Sequence, residues 1–158
     1  VTGVQTCALP IFYKLACTPK YLADGETPDR NSYQASMLEW GIAKLADIRD
    51  VIPNAGGLVI APNIAVAEYM SSLLELLEDE KPWLVHSQMA NAEAKISSFK
   101  NTNKKWLVSV AMISEGVDIK RLRILVYLPY AQTELAFRQA MGRVVRSLGD
   151  NEIGRALV

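Results

Sequence analysis

Four short, almost continuous apolar runs constrain the fold of this chain more than any other feature. They occupy residues 58–61, 83–85, 106–110 and 124–128. A strand with one face in water alternates apolar and polar residues, whereas a strand covered on both faces is apolar throughout. The runs therefore predict short strands of a mostly parallel sheet that is buried on both faces.

Helical patterns separate the apolar runs. In each pattern, apolar residues recur at helical spacing behind a side chain that is able to cap a helix. The predicted helices cover residues 33–52 behind Ser32, 64–77 behind Asn63, 92–99 behind Asn91 and 134–147 behind Thr133. Alternating strands and helices predict an α/β fold, a three-layer domain with a mostly parallel central sheet and right-handed crossovers.

Both ends of the chain have unusual sequences. Residues 1–11 resemble one translated reading frame of a common short-read sequencing adapter, so we expect them to be non-native; the alternative is a short strand that ends at Pro10. Residues 155–158 have the pattern of a strand cut off as it begins, which predicts a truncated domain. We expect residues 12–56 to form a connector and a helix that lead into a domain over residues 57–158.

The charge balance does not identify a partner, but the distribution of charge is uneven. Lys plus Arg and Asp plus Glu number 17 each. Ten basic and three acidic residues lie from Lys95 to Arg146, whereas five acidic and no basic residues lie from Glu68 to Glu80. A basic half weakly favours a polyanion partner, either a nucleotide or a nucleic acid. The simpler interpretation of the cations at positions 100, 104, 105, 120, 121 and 123 is that they are solvated loop residues.

Several classes of protein do not fit the sequence. No apolar run approaches the roughly 18 residues that a membrane helix needs. The start also lacks the basic region of a signal peptide, so we expect a cytoplasmic protein. Cys7 and Cys17 fit neither a disulfide framework nor the spacing of metal ligands, and no metal site is predicted.

Polar residues collect where this fold would place a binding site. In open α/β sheets, ligands bind beyond the carboxyl ends of the strands. The predicted first strand is followed by Asn63, the second by His86, Ser87 and Gln88, and the third by a loop that leaves Val110. We therefore expect the site to be built from these loops and from the loop after the fourth strand.

Gly116 and Asp118, in the third loop, have a joint chemical rationale. Glycine allows the backbone to approach a ligand closely. A carboxylate two residues later can accept a hydrogen bond from a hydroxyl, such as those of a ribose. An ordinary turn uses the same residue types, so the pair alone does not decide between the two interpretations.

The last predicted helix has two different faces. At about 100° per residue, Gln139, Arg143 and Arg146 fall on one side, with Gly142 at its edge, and apolar residues fall on the other. The planar donor fork of arginine matches phosphate oxygens. The polar face therefore predicts a contact with phosphate, and the alternative is a surface helix with two solvated arginines.

Two motifs in these segments resemble those of superfamily 2 helicases and translocases. The pentapeptide Ser-Glu-Gly-Val-Asp at residues 114–118 resembles motif V of that family. The pattern Gln-x-x-Gly-Arg-x-x-Arg at residues 139–146 resembles motif VI, and residues 58–63 lie where motif IV would be. Residues from about 57 to 146 thus resemble the second RecA-like domain, the helicase C-terminal domain, which implies a RecA-like α/β fold.

The resemblance implies a role for each of the matching residues. Arg143 and Arg146 would reach across a cleft to the phosphates of ATP, and Gln139 would position their helix. The residues implied to face the nucleotide are Glu115, Gly116, Asp118 and Gly142. Those implied to lie along the nucleic-acid path are Asn63, His86, Ser87, Gln88, Val110 and Ser114.

The chain lacks two elements that ATP hydrolysis needs. It contains no Gly-x-x-x-x-Gly-Lys-Ser/Thr sequence and no Asp-Glu pair behind a strand to hold Mg²⁺. In the family both elements lie on the first, N-terminal RecA-like lobe of the same polypeptide. That lobe would make most of the contacts with ATP and Mg²⁺. The chain alone is therefore expected to be inactive, as one half of an ATP-dependent motor.

The third loop also departs from the pattern of RNA-directed DEAD-box proteins. Those proteins usually have Thr-Asp and Arg-Gly where this chain has Val110-Ala111 and Glu115-Gly116. That sequence is closer to type III restriction subunits and DNA repair translocases, which favours DNA over RNA as the partner. An alternative is a non-catalytic α/β module that binds a nucleic acid or a protein. Another nucleotide-dependent α/β domain would explain the sheet but not the spacing of the motifs.

Overall fold

The computed structural model describes residues 14–110 and 119–128, together with the backbone of residues 156–157. Within these ranges no helix is both long and apolar enough to cross a lipid bilayer. The elements in chain order are α1 (Tyr33–Arg49), β1 (Gly56–Ala61), α2 (Ile64–Glu78), β2 (Trp83–Val85), α3 (Ala92–Lys100), β3 (Trp106–Val110), β4 (Leu122–Tyr127) and β5 (Ala156–Leu157).

The described strands form one sheet in the order β2-β3-β1-β4-β5, and every neighbouring pair is parallel. β1 lies at the centre: Val59 is opposite Val108 of β3 on one side and Val126 of β4 on the other. All six residues of β1 are buried. The prediction of a parallel sheet built from apolar runs is therefore confirmed.

Apolar clusters cover both faces of the sheet. Val59 belongs to a cluster that includes Leu38 of α1 and Leu73 of α2. Its neighbour Leu58 points to the opposite face, because side chains alternate along a strand, and packs in a cluster that includes Phe99 of α3. The three layers predicted from the sequence are therefore present.

Two of the three predicted caps in the described residues are confirmed. Ser32 accepts a hydrogen bond from the amide of Ala35 at 3.1 Å. Asn63 accepts one from the amide of Val66 at 2.9 Å. The prediction for Asn91 was wrong, since its side chain makes no capping hydrogen bond. A capping residue needs an extended backbone, whereas Asn91 has φ −113° and ψ 23°.

Residues before α1, predicted as a connector, pack onto the same core as the sheet. Ala16 and Cys17 are buried in the cluster on the α1 and α2 face. The ring of Tyr21 meets that of Tyr69 edge to face, with centroids 5.3 Å apart. Burial raises the pKa of the Cys17 thiol to about 11, so this thiol stays protonated and unreactive at neutral pH.

Arg121 is not the solvated residue that the sequence indicated, because it is only 6% exposed. Its guanidinium donates to the carbonyl oxygens of Phe99, Asn54 and Lys104 at 2.9, 2.9 and 2.7 Å. It also lies 3.9 Å from the centroid of the Phe99 ring. Burial and, to a smaller extent, the charge of Arg49 lower its pKa to about 10, so it is still charged at neutral pH. One side chain thus joins three connections at the amino edge of the sheet.

A β-bulge interrupts the register at the same edge. Gly56 lies opposite Leu122. The next residue, Gly57, lies opposite Ile124, so β4 contains one extra residue, Arg123, between these pairs. Such an extra residue redirects the side chains around it.

Gly57→Ala is expected to destabilise the chain by about 1–3 kcal/mol, the usual effect of overpacking. Gly57 lies on the central strand, and a Cβ there would overlap the ring carbons of Trp106. Gly41→Ala is the matched control, since there the nearest atom would be 3.4 Å away and alanine favours a helix interior by up to about 1 kcal/mol. Urea unfolding of both variants measures the difference, and equal losses of stability would contradict this account of β1.

Arg121→Met should lower the free energy of unfolding by roughly 3 kcal/mol, because it leaves one buried and two part-buried carbonyl oxygens without their charged donor. Arg30→Met is the control: Arg30 is exposed and makes one long contact, of 3.4 Å, to the carbonyl of Leu76. Urea unfolding of that control should change by less than about 0.5 kcal/mol. A small effect in both variants would mean that the contacts of Arg121 do not hold the amino edge together.

Candidate functional site at the carboxyl edge of the sheet

Three neighbouring strands end almost level with one another. Ala61, the last residue of β1, lies opposite Val110, the last residue of β3. Val85, the last residue of β2, lies opposite Ser109 of β3. Because β3 lies between β2 and β1, the loops that leave these strands emerge side by side. The structure therefore brings Asn63, the loop at His86 and Val110 to one edge.

Asn63 is exposed and has a structural task at this edge. It follows β1 and adopts an extended backbone, with φ −153° and ψ 171°. Its Oδ1 accepts from the amide of Val66, and its carbonyl accepts from the amide of Ala67 at 3.0 Å. The cap occupies the oxygen of the side chain, so the two N–H groups of the carboxamide remain as donors.

His86 opens a tight turn after β2. Its carbonyl accepts from the amide of Met89 at 3.0 Å. The ring is partly buried, and Nδ1 is shielded from solvent without a hydrogen-bond partner. Ser87 and Gln88, at the tip of the turn, are exposed. Neutral donors and acceptors therefore face outwards from this loop.

Val110 differs in kind from the other residues predicted along the nucleic-acid path. Its side chain is partly buried and packs against the cluster on the α1 and α2 face. It therefore contributes its backbone and a small apolar surface, not a charge or a side-chain donor.

Several predicted site residues lie outside the described part of the chain. These are Ser114, Glu115, Gly116, Asp118, Gln139, Gly142, Arg143 and Arg146. They belong to two segments, one that follows Val110 and one that follows Leu128. The amide of Leu128 donates to the carbonyl of Ile60, in β1, at 2.8 Å. Both segments thus begin at the carboxyl edge, and the roles of their residues stay predictions.

The described part of this edge is polar but neutral. Asn63, Ser87 and Gln88 offer amide and hydroxyl groups, which suit contacts with a phosphate backbone. Within the described residues no group of three His, Cys, Asp or Glu side chains is placed to hold a metal ion. Tyr127 ends β4 at the same edge, and burial raises the pKa of its phenol. No sequence pattern points to Tyr127 beyond its place near the end of an apolar run.

A parallel sheet covered by helices on both faces, with polar loops at its carboxyl edge, is an open α/β domain of the kind that binds ligands at that edge. Residues 43–147 match the family described as the helicase conserved C-terminal domain. The chain belongs to this family. The recognition made from the two sequence motifs is therefore confirmed.

Two mycobacterial proteins are similar to this chain over most of its length. Uncharacterized proteins of Mycobacterium leprae (strain TN) and Mycobacterium tuberculosis (strain ATCC 25618 / H37Rv) are each 39% identical to it over 115 residues. The similarity covers 73% of this chain and 19% of each relative. The chain thus spans about a fifth of the length of the curated relatives it matches.

Solved helicase and translocase domains share the fold. The Sulfolobus solfataricus SWI2/SNF2 ATPase core in complex with dsDNA is 17% identical, with a TM-score of 0.65 over 100% of this chain and 34% of that one. The C-terminal domain of the Sulfolobus solfataricus SWI2/SNF2 ATPase is 14% identical, with a TM-score of 0.61 over 95% and 60%. Domain 2 of the Mss116p DEAD-box helicase, bound to an RNA duplex, is 15% identical, with a TM-score of 0.52 over 74% and 48%. At these identities the likeness is one of fold.

Asn63→Ala should destabilise the chain by about 1 kcal/mol, because it removes the cap of α2. Asn63→Asp keeps an acceptor at the same place and adds a favourable charge at the helix N-terminus, so its stability should equal or exceed that of the parent. Urea unfolding midpoints compare the two variants. Equal losses in both would show that the hydrogen bond to Val66 does not stabilise the helix.

Proposed function

We propose that this chain forms the C-terminal motor lobe of an ATP-dependent helicase or translocase that acts on DNA rather than RNA. One observation carries the proposal: the level ends of β1, β2 and β3 bring Asn63, His86 and Val110 to a single edge. The segments that contain the predicted motifs V and VI begin at that edge. Membership of the helicase C-terminal family supports the same assignment.

The carboxyl edge would hold the sugar-phosphate backbone of a nucleic acid. The free carboxamide donors of Asn63, the hydroxyl of Ser87 and the amide of Gln88 suit phosphate oxygens, and such contacts position a protein without reading sequence. Val110 and Ser114 would extend this path. The preference for DNA rests on Glu115-Gly116, where RNA-directed relatives usually have Arg-Gly.

The nucleotide would be ATP with Mg²⁺, bound mainly by the N-terminal RecA-like lobe of the same polypeptide. Arg143 and Arg146 would stabilise the charge that develops when the terminal phosphoryl group is transferred, while Gln139 positions their helix. The nucleotide-facing contacts would come from Glu115, Gly116, Asp118 and Gly142.

Arg143→Ala and Arg146→Ala, made in the intact gene product, should each lower kcat for ATP hydrolysis by about 10³-fold or more, the usual effect of removing an arginine finger. Arg138→Ala is the matched control, since Arg138 belongs to the same predicted helix but lies outside the Gln-x-x-Gly-Arg-x-x-Arg pattern. ATP turnover is measured with single-stranded DNA and with single-stranded RNA of the same length. DNA should stimulate it more strongly.

Three results of this experiment would contradict parts of the proposal. Turnover unaffected in both arginine variants would remove them from catalysis, and equal or stronger stimulation by RNA would reverse the choice of nucleic acid. Binding of nucleic acid by an intact gene product that never hydrolyses ATP would favour a non-catalytic binding module. The chain alone, assayed in parallel, should neither hydrolyse ATP nor separate a duplex.

A further inference from the structure

The opposite, amino edge of the sheet contains a basic cleft of about 490 Å³. Its lining residues are Asn54, Lys100, Lys120, Arg121 and Arg123. They come from the turn before β1, the last turn of α3 and the start of β4. Because the strands are parallel, this cleft and the loops proposed to bind nucleotide and DNA lie at opposite ends of the sheet.

The cleft concentrates positive charge that nothing in the described residues neutralises. Four of its five lining residues are cationic and none is acidic. Lys100 and Lys120 are exposed and have no carboxylate within ion-pair distance in the described part of the chain. By contrast, the nearby Lys104 and Lys105 are paired, at 3.0 Å with Glu80 and at 2.9 Å with Glu78. A helix C-terminus such as that of α3 favours one cation, and carbonyl contacts account for Arg121. Lys120 and Arg123 are left unexplained.

The two arginines of the cleft are held in place with donors to spare. A guanidinium has five N–H groups. Arg121 directs four of them to Phe99, Asn54, Thr102 and Lys104, so one remains. Arg123, at the bulge that sets it apart from the pairing of β4 with β1, directs its Nη1 to the carbonyl oxygens of Lys120 and Leu122, so its Nη2 donors remain.

We propose that this amino-edge cleft is a second phosphate-binding site, which takes a polyphosphate or a short stretch of nucleic-acid backbone. The two fixed arginines would donate their remaining N–H groups to phosphate oxygens, and the exposed lysines would add charge. The volume lies within the range of about 300–1,000 Å³ that is usual for small-ligand sites. The site does not depend on ATP hydrolysis or on any residue of the carboxyl edge.

Calorimetric titration of the full chain with tripolyphosphate tests the site. Lys100→Gln/Lys120→Gln should weaken binding at least tenfold while the circular dichroism spectrum is unchanged. Lys20→Gln/Lys44→Gln removes the same charge from two exposed lysines outside the cleft and should change binding less than twofold. At about 0.1 M salt, charges more than about 10 Å from the ligand are largely screened, so the control isolates local contacts.

A second arm, with a single-stranded oligonucleotide in a fluorescence anisotropy assay, identifies the source of the phosphate. If the cleft holds nucleic-acid backbone, the cleft variant loses affinity for both ligands, and the salt slope falls by roughly 0.7 per lysine. If it holds a free polyphosphate, only tripolyphosphate binding falls. Absence of tripolyphosphate binding in the parent chain, or equal losses in the cleft variant and the control, would overturn the proposal. These outcomes are independent of the ATPase result for Arg143 and Arg146.

Discussion

The burial of β1 on both faces is the constraint on which the rest of the structure depends. A strand with six buried residues needs a parallel neighbour on each side and helices above and below it. β3 and β4 supply the neighbours, while α1 and α2 cover one face and α3 the other. Gly57 is part of this arrangement, because the ring of Trp106 occupies the space that any larger residue would need. Because the strands are all parallel, all their amino ends lie at one edge of the sheet and all their carboxyl ends at the other. The two edges are chemically different.

The two edges differ in charge and in how they are held together. At the carboxyl edge, Asn63 and the loop after His86 present neutral groups on short connections. At the amino edge, Arg121 binds backbone carbonyls of the last turn of α3 and of the connections before β1 and β3, and other cations lie beside it. Because each edge uses different residues, a ligand at one edge does not compete for the contacts that stabilise the other.

The sequence predicts the features of this fold that depend on periodicity and misses those that depend on distant backbone groups. The apolar runs, α1 and α2 with their caps at Ser32 and Asn63, and the edge at which the polar loops collect all follow from local pattern. Asn91 fails as a cap because residue type alone does not set its backbone angles. The burial of Arg121 could not be predicted, since its acceptors are carbonyl oxygens of residues far apart in the sequence. The bulge at Arg123 likewise arises from pairing across the sheet.

Asn63 caps α2 with its side-chain oxygen and keeps its side-chain donors available for a second contact. The hydrogen bond from Val66 fixes the carboxamide oxygen and thereby fixes the direction of its two N–H donors. A donor held by a cap at the start of a 15-residue helix loses little conformational entropy when it meets a phosphate oxygen. Donors at the N-terminus of α2 also favour an anion through the helix dipole. The same cap that starts the helix would therefore prepare this edge of the sheet for the nucleic-acid backbone that we propose it binds.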